Sequence, residues 1–285
     1  MNYNKGDRVR HPTREDWGLG EVLGASNGKE VRVFFVGAGE KTLVLAHVQP
    51  VKVSGPDASH PILDNLQVKA TASGIRYQSL PESIERFLSA YPGGFHGERF
   101  HHDERAYKEK AHRLAVELLG KDTLSGLLRD ELYEEIVRNA LSVSNATNLI
   151  FPNEKMGLKD GLEDAATQAR FAVALYELLH GESGIEQRFT AFCKVLIEVG
   201  SAKWPVATYF PFFLQPGEHM FVKPTITQQA AQLCAFELSY RPQPNWQTYS
   251  LVLKLANYLF HELQELEPRD MIDVQSFMWC VAEHP

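Results

Sequence analysis

Apolar and polar positions keep a two-residue period over the first fifty residues of the chain and a helical period after residue 80. Val31, Val33 and Phe35 alternate with Arg32 and Phe34, the pattern of a half-buried strand. GDRVRHP sets Val9 between charged neighbours, and WGLGEV supplies a second short run. Asn27-Gly28 between strand-like runs predicts a tight hairpin, because a type I′ turn needs positive φ at both central residues. Val36-Gly37-Ala38-Gly39 marks another turn. Four or five short strands within residues 5–53 predict a small all-β barrel, and the module is bounded at 1–53.

Residues 54–80 are rich in Ser, Pro, Gly and Ala and carry no long periodic pattern, which predicts a linker. From Pro81 to residue 285 the spacing predicts an α-helical domain. Helices are expected near 81–90, 103–119, 127–141, 154–180, 184–199, 225–236, 245–266 and 270–283, with Thr225, Asn245 and Asp270 as N-caps. The 184–199 segment is the clearest, with Ile185, Phe189, Phe192, Leu196 and Val199 in one stripe. The interval Ser201–Thr225, SAKWPVATYFPFFLQPGEHMFVKPT, holds four prolines and breaks the helical reading. Strands over 206–214 and 219–223 around Gln215-Pro216-Gly217-Glu218 predict a β-hairpin inserted in the helical body. The fold class is thus mainly α, with a small N-terminal all-β barrel and one hairpin insertion.

Composition narrows the class. Of 285 residues 44% are hydrophobic and 23% charged, as in a water-soluble globular chain. No run approaches the roughly 20 apolar residues of a spanning helix, and MNYNKGDRVRHP lacks the apolar stretch of a secretory signal. Cys193, Cys234 and Cys280 are widely spaced and read as buried thiols in a reducing cytoplasm. The net charge of −7 excludes a generally basic nucleic-acid binder, but residues 1–53 hold eight Lys/Arg against six Asp/Glu, a net of +2. Any contact with a polyanion is therefore local.

Four stretches carry candidate chemistry. Phe95–Arg105 packs three histidines and three acids close together, without the spacing of a metal motif. Asn145, Asn148, Asn153, Glu154 and Lys155 follow a helix end, where Asn and Pro suit turns and where amides also suit reading of a base edge. In the Ser201–Thr225 stretch, Trp204, Tyr209, Phe210, Phe212, Phe213 and Phe221 are flanked by Lys203, His219 and Lys223, and aromatics interleaved with cations suit a nucleic-acid strand or an extruded base. In RDMIDVQS, Asp270 and Asp273 have cap-like spacing, while Asp273, Ser276 and Trp279 share a helix face. On the N-terminal module Arg8, Arg10, His11, Arg14, Trp17 and Arg32 suit a mixed basic and aromatic face. No metal or cofactor is called for by these patterns.

GDRVRHP, WGLGEV and VRVFFVGAGEKTL, in that order, make residues 4–53 resemble the small SH3-like domain of unknown function that also occurs near the end of some UvrD-type helicases, a cousin of the CarD-type module that binds RNA polymerase. That resemblance implies an SH3- or Tudor-like barrel serving near DNA or DNA-bound machinery. The succession KWP, HMF-KP, NW-TY and RDMIDVQSF is similar to helical proteins of bacterial restriction and phage-defence neighbourhoods. The combination resembles phage-defence DNA glycosylases that remove modified bases. It implies a DNA glycosylase acting on duplex DNA; under that hypothesis Asp273, a carboxylate beside an apolar helix face, is the catalytic candidate and His219 assists. Arg8, Arg10, Arg14, Lys203 and Lys223 would then contact phosphates, and Trp204 and Tyr209 would stack or wedge. The alternative is a non-enzymatic adaptor for DNA or a helicase. The chain has neither the Gly-rich hairpin of helix-hairpin-helix glycosylases nor a uracil-glycosylase motif, and no PD-(D/E)xK or HNH arrangement. The Tyr240–Pro244 connection is too long and proline-rich for a helix-turn-helix.

Overall fold

The computed structural model describes residues 2–66 and 80–283. They fall into two compact units, one drawn from Met1–Ala90, Gln228–Leu238 and Cys280–Pro285, the other from Tyr91–Thr227 and Ser239–Trp279.

The first unit holds five strands: β1 (Arg8–Arg10), β2 (Leu19–Val22), β3 (Glu30–Phe35), β4 (Gly39–Val44) and β5 (Val51–Val53). They form one antiparallel sheet in the order β4-β3-β2-β1-β5. The two-residue period sends Val31, Val33 and Phe35 into a core with Tyr3, Val9, Val22 and Leu43, and Trp17, Ala38, Leu45 and Val48 pack against it. Phe34, on the other face of β3, is buried too. The Asn27-Gly28 turn is wider than a two-residue hairpin, because β2 ends at Val22 and β3 starts at Glu30. Gly28 takes a φ of +81°, and the Asn27 side chain accepts from the N–H groups of Lys29 and Glu30 at 2.9 and 2.7 Å. Of the expected linker, Gly55–Ala58 and Leu63–Asn65 form 3₁₀ turns, and Leu66 bridges Phe236 within this unit. The portion at 67–79 lies outside the described residues. Helix α1 (Leu80–Ala90) follows.

The remaining helices are α2 (Glu98–Phe100), α3 (Ala106–Leu119), α4 (Lys121–Arg129), α5 (Tyr133–Asn145), α6 (Pro152–Gly161), α7 (Ala165–His180), α8 (Ile185–Glu198), α9 (Trp204–Leu214), α10 (Pro224–Leu233), α11 (Trp246–Glu262) and α12 (Met271–Glu283). The architecture is a small β domain followed by a helical region. The single helix expected over 154–180 is two, because the Asp164 carboxylate caps a fresh start by accepting from Ala166 and Thr167 N–H at 2.9 and 3.0 Å. Asn245 caps α11 through Thr248 N–H, and Asp270 accepts from Ile272 N–H at the start of α12, each at 2.9 Å. Helix α10 begins one residue before Thr225, at Pro224.

The expected β-hairpin is not formed. Residues 204–214 are helix α9, buried along its whole length from Trp204 to Phe213 and packed on α3, α5, α6, α7 and α8. A helix that is apolar all round belongs in the centre of a bundle. Its prolines fit helix rules: Pro205 sits in the first turn, where no N–H is needed, Pro211 lies late in the helix, Pro216 follows its end, and Pro224 opens α10. Residues 219–223 pass without regular structure, and Val222 N–H is satisfied by Thr208 Oγ1 of α9 at 2.9 Å.

Candidate functional site

A cleft of about 850 Å³ opens in the helical unit. Its walls come from the turn before α3, from α3 itself, from the α5–α6 connection, from Lys223 ahead of α10, and from α12. The chain reaches it through a π-helical turn, His101–Arg105, wedged between α2 and α3. Such turns add a residue to the helical ladder and recur at functional sites. Here the turn supplies Asp103 and Glu104 to the cleft, one turn before Tyr107 and Lys108.

Lys108 is 1% exposed and donates to three acceptors: Glu104 Oε2 at 2.8 Å, Gln275 Oε1 at 2.8 Å and Ser276 Oγ at 2.7 Å. Burial pushes its pKa down, and the charge of Glu104 resists this. The ammonium can only donate, so Gln275 must accept through its oxygen and keeps its NH₂ for the cleft. Glu104 uses only Oε2 on Lys108; among the described residues its Oε1 has no hydrogen-bond partner. The Tyr107 hydroxyl also makes no hydrogen bond among the described residues, and burial, helped by the charge of Glu104, raises its pKa. Asp103 is instead engaged by His102 at 2.7 Å and Arg99 at 3.5 Å.

The opposite wall is the 145–155 segment. Asn145 and Asn148 are exposed there, with amides unspent among the described residues, and the Phe151 ring is 53% exposed. Lys155 Nζ donates to Thr147 O at 2.6 Å and Lys223 Nζ to Leu149 O at 2.9 Å. Lys223 also lies 3.6 Å from the centroid of the Phe151 ring. Trp279, half-buried, completes the aromatic lining with Tyr107 and Phe151.

Residues 3–53 match the family described as a protein of unknown function (DUF3553). No curated protein and no solved structure matches the chain. The family match covers the strand-bearing module alone and leaves the cleft outside it.

The residues expected from the sequence have separate placements. Lys223 lines the cleft; Lys203, His219, Asp273, Trp204 and Tyr209 do not. Asp273, expected as a catalytic carboxylate, is 0% exposed and saturated. It accepts from Arg269 N, Nε and Nη2 at 2.9, 2.9 and 3.0 Å and from Arg105 Nη1 at 3.1 Å. Arg105 also forks onto both oxygens of Asp270 at 2.6 and 2.8 Å. Burial opposes its charge, but hydrogen bonds and charge from Asp270, with Asp273 and Glu109, hold the guanidinium above its ordinary pKa. This network fastens the π turn and α3 to the start of α12, so Asp273 anchors structure and offers no oxygen to a ligand.

Trp204 and Tyr209, expected to stack on DNA, are core residues: Trp204 Nε1–H donates to Arg241 O at 2.8 Å, and Tyr209 Oη stands 2.9 Å from Thr147 Oγ1 and 3.1 Å from Val143 O. Lys203 is exposed outside the cleft. His219, expected to assist catalysis, is 3% exposed with Tyr249 Oη 3.4 Å from Nδ1. Burial, with a smaller push from Arg188, lowers its pKa from 6.5 to about 4. The folded value lies below the unfolded one, so its contribution is complete above pH 6.5 and is lost as pH falls through about 4. Urea titrations should show about 3 kcal/mol lost by pH 4 on this account, and His219→Gln should flatten that part of the acid limb. An unchanged slope in the variant would remove His219 from the acid response.

On the module, Arg8 is spent on Glu21 and Asp64, while Arg10 is exposed. Arg14 pairs with Asp16 at 2.6 Å and lies 4.9 Å over Trp17, which His11 meets edge-on at 4.7 Å and Lys41 approaches at 5.8 Å. Gly37 makes this possible, since a Cβ there would collide with the carbonyl of Asp16 beside Trp17. The cysteines are free, and burial raises Cys193 and Cys234 to about 12, far from thiolate reactivity at neutral pH. Among the described residues no group of three or more His, Cys, Asp or Glu side chains is placed to hold a metal ion, and no helix is long and apolar enough to cross a membrane.

Tyr107, Lys108, Phe151 and Gln275 escaped the sequence reading as site residues. The one available signal was the i, i+4 pairing of Glu104 with Lys108 on a helix beginning in a run of charges.

Proposed function

We propose that this chain acts on duplex DNA in the bacterial cytoplasm as a base-excision glycosylase of anti-phage defence, taking a nucleotide turned out of the stack into the cleft and releasing its modified base. The observation that carries this reading is the lining of that one concavity. Aromatic faces (Tyr107, Phe151, Trp279) stand with the unspent amides of Asn145 and Asn148, with Gln275, whose oxygen Lys108 already holds, and with a carboxylate, Glu104, that has a free oxygen. Aromatics stack an extruded base and amides read its edge. Cleavage of the glycosidic bond builds positive charge on the sugar, which a nearby carboxylate stabilises while it orients the attacking water. Glu104 suits that role in place of Asp273, because Lys108 fixes one of its oxygens and leaves the other to the cleft.

The test is incubation of the purified protein with phage DNA bearing modified bases and with unmodified plasmid. Alkali-labile abasic sites should accumulate in the first alone. A second reading, a non-enzymatic adaptor for DNA or a helicase, draws on the cationic and aromatic patch of His11, Arg14, Trp17 and Lys41, which grips but has no chemistry. Salt-sensitive duplex binding with intact DNA after incubation would favour it and sink the glycosylase.

A further inference from the structure

The charges around the cleft do not cancel. Lys108 is matched by Glu104 at 2.8 Å, and Asp103 is matched by His102 and Arg99. Lys155 and Lys223 form no ion pair within 4.0 Å among the described residues, although Glu154 acts on Lys223 from farther away. Each ammonium has three donors and spends one, on Thr147 O and Leu149 O respectively. Both are partly buried, and desolvation lowers both from the ordinary lysine value. In a chain of net charge −7, two half-buried ammonium groups without a carboxylate partner in one cleft are an electrostatic debt that an anionic ligand would settle.

Helix N-termini add to the same field. Helix α6 starts at Pro152, which lines the cleft, and α10 starts at Pro224, directly after Lys223. Each brings the positive end of its dipole near one of the two lysines, although Glu154 in the first turn of α6 offsets part of that field. The loop between Thr147 and Phe151 is held from beneath by the two lysine hydrogen bonds, so the ammonium groups are fixed in place before any ligand arrives.

We propose that Lys155 and Lys223 form a phosphate clamp, gripping the phosphate of a nucleotide whose base lies against the aromatic lining of the cleft. This deepens the reading of the cleft as a nucleotide site and rests on it. The phosphate has two sources, a free nucleotide or a DNA strand, and the chemistry of the grip is the same for both.

The test compares binding of the four deoxynucleoside 5′-monophosphates with that of the matching nucleosides by calorimetry, and of a short labelled duplex with one mismatched pair by anisotropy at several salt concentrations. Wild-type protein should prefer each monophosphate to its nucleoside. Lys155→Met and Lys223→Met should each weaken monophosphate binding about tenfold and lower the duplex salt slope by about one. Nucleoside binding should stay unchanged, and Lys155→Arg and Lys223→Arg should restore most of the loss. Lys159→Met, on α6 outside the cleft, should bind as wild type. A purely structural role for the lysines would weaken nucleoside and monophosphate alike and overturn the clamp, as would a double Met variant that keeps the preference. Monophosphate preference without base release from phage DNA keeps the clamp for free nucleotides and discards the glycosylase. Base release without phosphate preference discards the clamp and keeps the glycosylase. Binding of none of these ligands overturns both.

Discussion

Asp273→Ala should lower the unfolding free energy by about 3–5 kcal/mol, the cost of breaking a buried ion pair from one side. The carboxylate is fully buried and takes four hydrogen bonds, three from Arg269 and one from Arg105. Without it, Arg105, whose side chain is 7% exposed, keeps only Asp270 and Glu109 to balance its charge, and Arg269 loses its main partner. Arg105 is then short of one carboxylate in a buried setting and cannot shed its proton, while water reaches Arg269, whose side chain is 31% exposed. The measurement is the urea midpoint with its slope, at neutral pH. A change under about 1 kcal/mol, accompanied by lost base release, would return Asp273 to the chemistry and defeat the structural assignment.

Glu104→Gln should leave nucleotide binding nearly intact and slow base release by about 10²–10⁴-fold, with some loss of stability because buried Lys108 loses its ion-pair partner. The substitution preserves size and an acceptor for Lys108 but removes the charge that would face a developing sugar cation. Lys108→Met separates positioning from chemistry. Without the ammonium, the Glu104 carboxylate loses the donor that holds its Oε2 in place. Base release should then slow because the carboxylate is less well placed, but by less than in Glu104→Gln, which removes the charge itself. Full turnover by Glu104→Gln would exclude this carboxylate from the reaction. Abasic-site counting under single-turnover conditions reads both variants, with urea melts as the control for folding.

The positions that sequence periodicity located well are those whose environment is local. Val31, Val33 and Phe35 alternate because a strand has two faces, and they are the core of the sheet. The stripe at Phe189, Phe192 and Leu196 is buried because a helix buries every third or fourth residue. Asn245 and Asp270 cap helices through bonds spanning two or three residues, as does Asp164, where the apolar pattern alone runs on without a break. The Ser201–Thr225 interval failed as a hairpin for a physical reason: three of its four prolines sit at or beyond helix ends, where they cost little, and its aromatics are the fill of a central helix.

The cleft was legible only in fragments. Asp103 with Glu104, Asn145 with Asn148 and Lys155, Lys223, and Trp279 were each noticed in their own stretch of chain, on spacing that served capping, turn formation or packing equally well. By itself the sequence determined a β module followed by helices, most of the core faces and most of the caps, because these follow from neighbours within one or two turns. Tertiary structure alone decided that Lys108 would reach Gln275 and Ser276 across more than 160 positions, that Asp273 would turn toward two arginines instead of the cleft, and that two lysines 68 positions apart would share one wall. Hydrogen bonds and charges act over a few ångströms, and only the packed chain decides which distant side chains come that near.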